Sequence, residues 1–510
     1  MVTLDSVHVE LELDGDGGGW TDVTADVFLS ARIKWRRGLT GSGPLDQVAS
    51  PGRLVWSLNN SEANSARTLG YYTPGGAFCR AGFDVGIGVR LRAVYAGVSR
   101  TLFVGVLDEA VPAAGRYGGR GVSCVAFDWL EEAARFPLSD LSIQTDVRGD
   151  EVLSVIVASM PRQPQGGTSF EVGRSTFAYA LDTARDESSR ALGEFAKLAA
   201  SEGGRIYTKA DGTLRFESRV TRPATRTVSF SLADTMTALP GVSRRRSAIL
   251  NSVQATVHPR RVDASVVTLY TLRTSTLIRA GESLPLFGGY VDPEQLASRV
   301  GGVSMVAPVP TTDYTFNSAE DGSGADLTSA LMVVMSSGYL SGGNGFYATI
   351  TNTGSADGYL TTFRTRGRGV YDYESSVLYA DNSASASTYG QNGVALDLPY
   401  QNDPVAGNAI ALYTLALFGD ASRTYVPAVS FSANRDASHM LAALDSDIST
   451  RGEVSELVTA IDEGVFINGV EGEIGPRGSL SMTWTLAPAD LEGIWIVGVS
   501  SIGGGDRVGY

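Results

Sequence analysis

The chain has 510 residues, enough for three or four domains at about 150 residues each. Hydrophobic residues make up 43% and charged residues 19%, which excludes a disordered or coiled-coil chain. The net charge of −14 disfavours a dedicated nucleic-acid reader, which would be basic.

The N-terminus, "MVTLDSVHVELELDGD", lacks the basic and apolar regions of a Sec signal peptide. Val7, Val9, Leu11 and Leu13 alternate with His8, Glu10 and Glu12, so a strand places His8 on its wet face. "RLVWSLNNS" (53–61) ends in an Asn-rich turn. "DVGIGVRLRAV" (84–94), "RTLFVGVLDEAV" (100–111) and "RGVSCVAFDWL" (120–130) continue the alternation. Gly-rich turns between them predict a small antiparallel barrel or sandwich. Asp128 is placed to cap a helix in "WLEEAARF".

Between about 140 and 220 the period changes. Asp150 is placed to cap "EVLSVIVASM", with Val152, Val155 and Ile156 on one face. A longer helix is expected over 186–202, with Leu192, Phe195, Ala196 and Ala199 as its apolar stripe and Gly203-Gly204 as its stop. Leu192 and Phe195 should pack on a hairpin over 205–217, turned at Asp211-Gly212. The unit reads as small α/β. Strands resume after 221, most clearly in "ILNSVQATVHPRRV" (249–262). From about 300 to 395 the chain is rich in Ser, Gly, Thr, Asn and Asp yet keeps strands, which predicts an inserted β-sandwich-like domain. Asp403-Pro404 opens another helix, ending near Gly419. Two strands follow: "VFINGVEGEI" (465–474) and "SLSMTWTLAP" (479–488), the latter alternating Leu480, Met482, Trp484 and Leu486. The tail "SSIGGGDRVGY" is expected to be mobile. Neither apolar face of 250–262 nor of 465–486 can be buried alone, so these segments are expected to pair.

Chemistry-bearing patterns are sparse. Cys79 and Cys124 make no metal or redox spacing. His8, His258 and His439 are far apart, which weakens zinc, Cys–His and Ser–His chemistry. Asp14 and Asp16 lie in a glycine loop but lack the distal acid of a calcium loop. "SAEDGSGAD" (318–326) reads as an acidic surface loop, and "GRYGGRG" (115–121) as a hairpin tip rather than a phosphate loop. There is no HExxH and no G-x-S-x-G elbow, and no carboxylate pair stands out for glycoside hydrolysis. "SRRRS" (243–247) with Arg260 and Arg261 makes either a basic patch or a solvated strand edge. Tyr71, Tyr72, Tyr339, Tyr347, Tyr359 and Tyr379 could stack on sugars or serve in core and interface packing. No run of about eighteen apolar residues is present, so stable membrane insertion is not expected. No catalytic, cofactor or metal residue is therefore assigned.

The order of these segments resembles the hub proteins of phage tail tips and baseplates and of related contractile machines. The resemblance lies in "PGRLVWSLNNS", "FDVGIGVRLRAVYAGVSRTLFVGVLDEA", "VSCVAFDWLEEA", "GDEVLSVIVASM" and "DESSRALGEFAKLAASEGGRIYTKADGTLRFES". It continues in "ILNSVQATVHPRR", "STYGQNGVALDLPYQNDPVAGNAIALYTLALF" and "VFINGVEGEI", and covers most of 1–290 and 385–490. It implies a mainly β (α+β) fold with two related small β-barrels. The barrels would occupy 1–138 and, split, 223–299 and 386–510. An α/β unit would fill 139–222 and the insertion 300–385. It further implies a non-enzymatic homotrimer in the virion tail tip, made in the host cytoplasm. Its expected partners are a distal tail or tail-tube protein, the tape-measure protein, tip or fibre proteins, and DNA passing without sequence-specific binding. The alternatives are a tail-associated cell-wall hydrolase and a host-glycan-binding module in the insertion.

Overall fold

The computed structural model describes residues 1–13, 19–114, 119–138, 141–181, 189–242, 246, 249–290, 298–336, 338–419 and 425–489, with the backbone of 494–495 and 507–508. The chain is mainly β, in several sheets. Its first part supplies β1 (Ser6–Glu12), β2 (Trp20–Asp22), β3 (Ile33–Gly38), β4 (Arg53–Asn59), β5 (Gly88–Tyr95), β6 (Val98–Pro112) and β7 (Gly121–Phe127), then helix α1 (Leu130–Arg135). Alternation places Val9 and Leu11 in the core as expected. Glu10, on the opposite face, is buried too, because Arg90 and Arg92 clamp its carboxylate. Burial works against ionisation there, but these hydrogen bonds hold Glu10 below the usual carboxylate range. Asp128 caps α1 as predicted, its Oδ1 accepting from the Leu130 amide at 3.1 Å.

The α/β unit follows: β8 (Val147–Arg148), α2 (Gly149–Ser159), β9 (Thr168–Phe170), β10 (Thr176–Phe177), α3 (Ala191–Glu202), β11 (Arg205–Thr208), β12 (Leu214–Glu217) and α4 (Thr221–Ala224). Four expectations change here. Asp150 sits inside the first turn of α2, accepting from the Gly173 amide and from Arg148, while Glu151 closes the capping box. The buried face of α3 is Ala191, Phe195, Leu198 and Ala199, with Ala196 exposed and Leu192 half-buried. Phe195 stacks on Trp129, at 6.3 Å between ring centroids, rather than packing only on the hairpin. The hairpin turn is longer than two residues. Lys209 and Thr213 are hydrogen-bonded, and Gly212 alone takes positive φ (84°), a type I turn closed by a left-handed glycine.

After β13 (Phe230–Ala233) comes β14 (Ser252–Val257). A sandwich follows, built from β15 (Arg260–Val262), β16 (Val267–Thr271), β17 (Thr276–Ile278), β18 (Ser283–Gly289), β19 (Ser298–Val306), β20 (Tyr314–Asn317), β21 (Leu331–Met335), β22 (Gly345–Asn352) and β23 (Gly358–Asp372). β23 is its spine. β15, β16 and β17 pair in succession along one edge, and β19 and β20 along the other. The sheet β18-β22-β21 packs over it around Phe346, whose ring meets those of Tyr270, Tyr290 and Phe363. The strands thus set the limits of this unit at Arg260 and Asp372 rather than at 300 and 385.

The chain returns through β24 (Ser376–Asp381), α5 (Ser383–Tyr389), β25 (Gly393–Leu398) and α6 (Pro404–Phe418), capped by Asp403 as predicted. It ends in β26 (Ala428–Ser432), α7 (Ala437–Asp445), β27 (Arg451–Glu456), β28 (Ile461–Gly475) and β29 (Ser479–Pro488). β14 does not pair with 465–486. It lies between β24 and β25, and α6 covers its Val253, Ala255 and Val257. Alternation announces that a strand has a buried face and says nothing of which element covers it. The strands that meet β28 and β29 are instead β3, β26 and β27. The result is one 12-stranded sheet, ordered β13-β27-β28-β3-β4-β7-β6-β5-β1-β2 with β29 and β26 branching from β28.

Two outcomes test this packing. The Tyr373 amide donates to the Pro259 carbonyl at 3.1 Å, so the sandwich leaves and re-enters at one point. Excising 260–372 and joining 259 to 373 with a short Gly-Ser linker should leave a protein that melts cooperatively, since closure cost changes slowly with loop length. Aggregation of every linker length would show that the sandwich belongs to the common core. The second outcome concerns Asp128, whose pKa burial pushes up to about 7. The native state holds a proton that the unfolded chain releases near pH 4. Stability should therefore fall by roughly 4 kcal/mol between about pH 4 and 7 on this account. Asp128→Asn keeps the capping oxygen, and urea titrations of this variant should lose that part of the pH slope.

Candidate assembly site

Where β3 meets β28, outward-facing side chains of four neighbouring strands line an open groove of about 450 Å³. The register orders its chemistry in rows. Arg53 on β4 lies opposite Arg36 on β3, Arg36 opposite Glu471 on β28, and Glu471 opposite Thr483 on β29. One step along, Lys34 faces Glu473, which faces Ser481. Basic, acidic and hydroxyl strips thus run side by side. Glu473 pairs with Lys34 at 3.0 Å and with Arg32. Arg36 and Arg53 are exposed and have no ion-pair partner among the described residues, so two guanidiniums face solvent side by side. Like charges placed opposite each other cost stability unless a counter-charge arrives.

The inner side of the same junction is apolar. Trp35 is 3% exposed and lies over Gly472, where a Cβ would meet its ring at 2.1 Å. Beside it Arg37, also buried, pairs with Asp447 and donates to the Leu102 carbonyl. Asp447 in turn accepts from the Ala210 amide in the hairpin loop. One ion pair therefore ties together β3, β6, the hairpin and the turn after α7.

The residues singled out from sequence do not converge. Each histidine meets a different aspartate: His8 with Asp22, His258 with Asp397, and His439 with Asp436. One of these contacts was not foreseen. Ser6 Oγ lies 2.8 Å from His8 Nε2, and His8 Nδ1 lies 2.7 Å from Asp22 Oδ2, the connectivity of a Ser–His–Asp relay. The i, i+2 spacing on a strand was its only trace in the sequence. The Asp22 side chain is 46% exposed on this edge hairpin, so water competes for every bond in the line. Cys124 is buried, with its thiol pushed up to about 12 by burial, the opposite of a reactive thiolate. Among the described residues no group of three or more His, Cys, Asp or Glu could hold a metal. Asp14, Asp16, the loop at 115–118, Ser243, Arg244, Arg245 and Ser247 lie outside the described residues. In 318–326, Asp321 and Asp326 accept from the backbone two residues ahead, at Ser323 and Thr328, as turn residues do. Arg260 pairs with Asp372 and covers the Tyr179 ring, and Arg261 covers Tyr371, so neither forms a free basic patch. Tyr72 and Tyr339 are buried, whereas Tyr347 and Tyr379 are exposed on different sheets. Tyr347 pairs across the strands with Phe287, itself exposed, on the outer face of the sandwich. Among the described residues no helix is long and apolar enough to cross a membrane.

No family model and no curated protein matches this chain. Solved structures of tail proteins are similar to it over nearly its whole length. The 43 kDa tail protein of prophage MuSo2 from Shewanella oneidensis is 10% identical, with a TM-score of 0.49, over 95% of this chain and 99% of the other. A tail protein from Neisseria meningitidis MC58 is 9% identical, with a TM-score of 0.44, over 94% and 96%. Prophage tail protein gp18 from Listeria monocytogenes EGD-e is 9% identical, with a TM-score of 0.43, over 96% and 95%.

The close approach at Gly472 yields a direct test. Gly472→Ala should destabilise by about 1–3 kcal/mol, since the Trp35 ring must move within a packed core. A lowered urea midpoint with an unchanged slope is the expected result.

Proposed function

We propose that this chain is a structural, non-enzymatic hub of a phage tail tip or baseplate. It acts as a homotrimer that adapts a sixfold tail tube to a threefold tip. The observation that carries the reading is the 12-stranded sheet, which distant parts of one chain build from two β-units of similar plan. Each unit centres on a 15-residue strand, β6 or β28, that carries a bulge and pairs with a strand on either side. Two such units per chain provide six in a trimer, so one protein can face both symmetries.

Three strands of the sheet, β13, β2 and β26, each pair with one other strand only among the described residues. A head-to-tail contact between unlike edges generates a closed ring when the rotation closes. In this reading the distal tail or tail-tube protein and the tape-measure protein dock on one rim of the ring, and tip or fibre proteins on the other. Genomic DNA passes through the centre, and the chain's net charge of −14 disfavours its sticking there. Arg36 and Arg53, without ion-pair partners among the described residues, suit an acidic partner surface. The protein would be made in the host cytoplasm and reside in the virion. The neighbouring Phe287 and Tyr347 rings favour a second role for the sandwich, stacking on host glycans.

Light scattering on the purified protein should give three times the monomer mass, or a monomer that trimerises on its tail partner. Averaged images of assembled tips should show threefold symmetry in this chain's density. A stable dimer, or a single copy per tail, would overturn the hub reading.

A further inference from the structure

A small cavity lies behind the sheet where β11, α4, α6 and β28 meet. Two arginines line it, Arg205 at the start of β11 and Arg222 on α4, together with Tyr413 of α6 and Asn468 of β28. About 20 Å³ is open to the centre of a water-sized sphere, somewhat more than the roughly 10–15 Å³ that one water needs.

Arg222 is 3% exposed. Its Nε donates to Ser449 Oγ at 2.9 Å and its Nη1 to Asn468 Oδ1 at 2.6 Å. Its Nη2 is buried and has no hydrogen-bond partner among the described residues, and the same is true of Arg205 Nε. A buried charged donor left unsatisfied is costly. Folded proteins that keep one need a reason for it. The neighbouring carboxylates do not supply the missing acceptors. Glu217 Oε2 lies 3.9 Å from Arg222 Nε, but the Glu217 oxygens already accept from the Tyr207 and Ser449 hydroxyls at 2.7 and 2.6 Å. Asp46 also lines the cavity and would repel an anion. Its Oδ2 accepts from the Gly43 amide at 2.8 Å, and among the described residues it makes no ion pair with either arginine.

We propose that Arg205, Arg222 and Tyr413 bind a small inorganic anion, of the halide to phosphate class, in this cavity. Two cationic arms and a phenolic hydroxyl converge on it from three separate elements. The Phe466 ring, 5.3 Å from the Arg222 guanidinium carbon, holds that arm in place. Burial, and next the positive charge of Arg205, bring the Arg222 pKa down to about 9. A bound anion offsets both effects. It also links β11, α4 and α6 across the cavity.

The test uses the full chain in thermal melts at constant ionic strength, with sodium gluconate, too large for the cavity, as background. Phosphate, sulfate and bromide are then titrated separately. At least one should raise the melting temperature saturably, and the order among them reports the size the cavity accepts. No hydrogen bond links the Arg205 side chain to another described residue and its charge burdens Arg222, so Arg205→Gln should melt no lower than the wild type in gluconate. Its half-saturating anion concentration should rise at least tenfold. If that variant fails to fold, a bromide soak of wild-type crystals decides. An anomalous peak between Arg205 and Arg222 supports the site, and water density alone overturns it. No saturable rise with any of the three anions, or an identical rise in Arg205→Gln, also overturns it.

Discussion

Arg37 and Asp447 stand 410 positions apart, yet their ion pair lies against the seam where β3 pairs with β28. That seam is the constraint on which the architecture rests. Without it the chain would hold two unconnected β-units, each with an edge strand exposing unpaired amides and carbonyls. With it, the two units share one sheet and one core, from Leu4 and Val9 to Trp484 and Leu486. The pairing runs from Gly38–Gly469 to Ile33–Ile474, and a slip of one residue would turn Trp35 outward and Lys34 inward. The gap at Gly472 for the Trp35 ring admits one register only.

Buried carboxylates held by pairs of arginines also join strands elsewhere. Glu10 joins Arg90 and Arg92 between β1 and β5. Asp313 is held by Arg364 and Arg366 on the sandwich spine. Such pairs add little net stability, because desolvation offsets much of the attraction. Breaking one strands a charge in the interior, so alternative junctions are penalised more than the native one is rewarded. At Arg222 the same logic is incomplete, with a donor left over.

The sandwich is attached differently. It has its own core, and it touches the rest chiefly through a small cluster of Ile143, Tyr179, Val303 and Val370 and through Arg260 over the Tyr179 ring. A unit joined at adjacent chain ends by a small contact can vary without disturbing the sheet. The attachment also places the exposed Phe287–Tyr347 pair away from the seam.

The sequence by itself determined the class of the fold and many of its local elements. Period-two alternation marked the strands around Val9, Trp56 and Trp484, Asp128 and Asp403 marked helix starts, and Gly203 marked a helix end. These are decided by neighbours a few residues away, through strand pleating, capping hydrogen bonds and the freedom of glycine. Only the tertiary structure decided which buried faces meet. β14 alternates as cleanly as β29 does, yet α6 covers it, because an apolar face is satisfied by any apolar partner of the right shape. The same holds for the site. Lys34, Arg36, Glu471 and Glu473 were ordinary exposed charges until the β3–β28 pairing set them side by side. Ser6, His8 and Asp22, or Arg205 and Arg222, acquire meaning only as distances, and distance across folded elements is not written in local sequence.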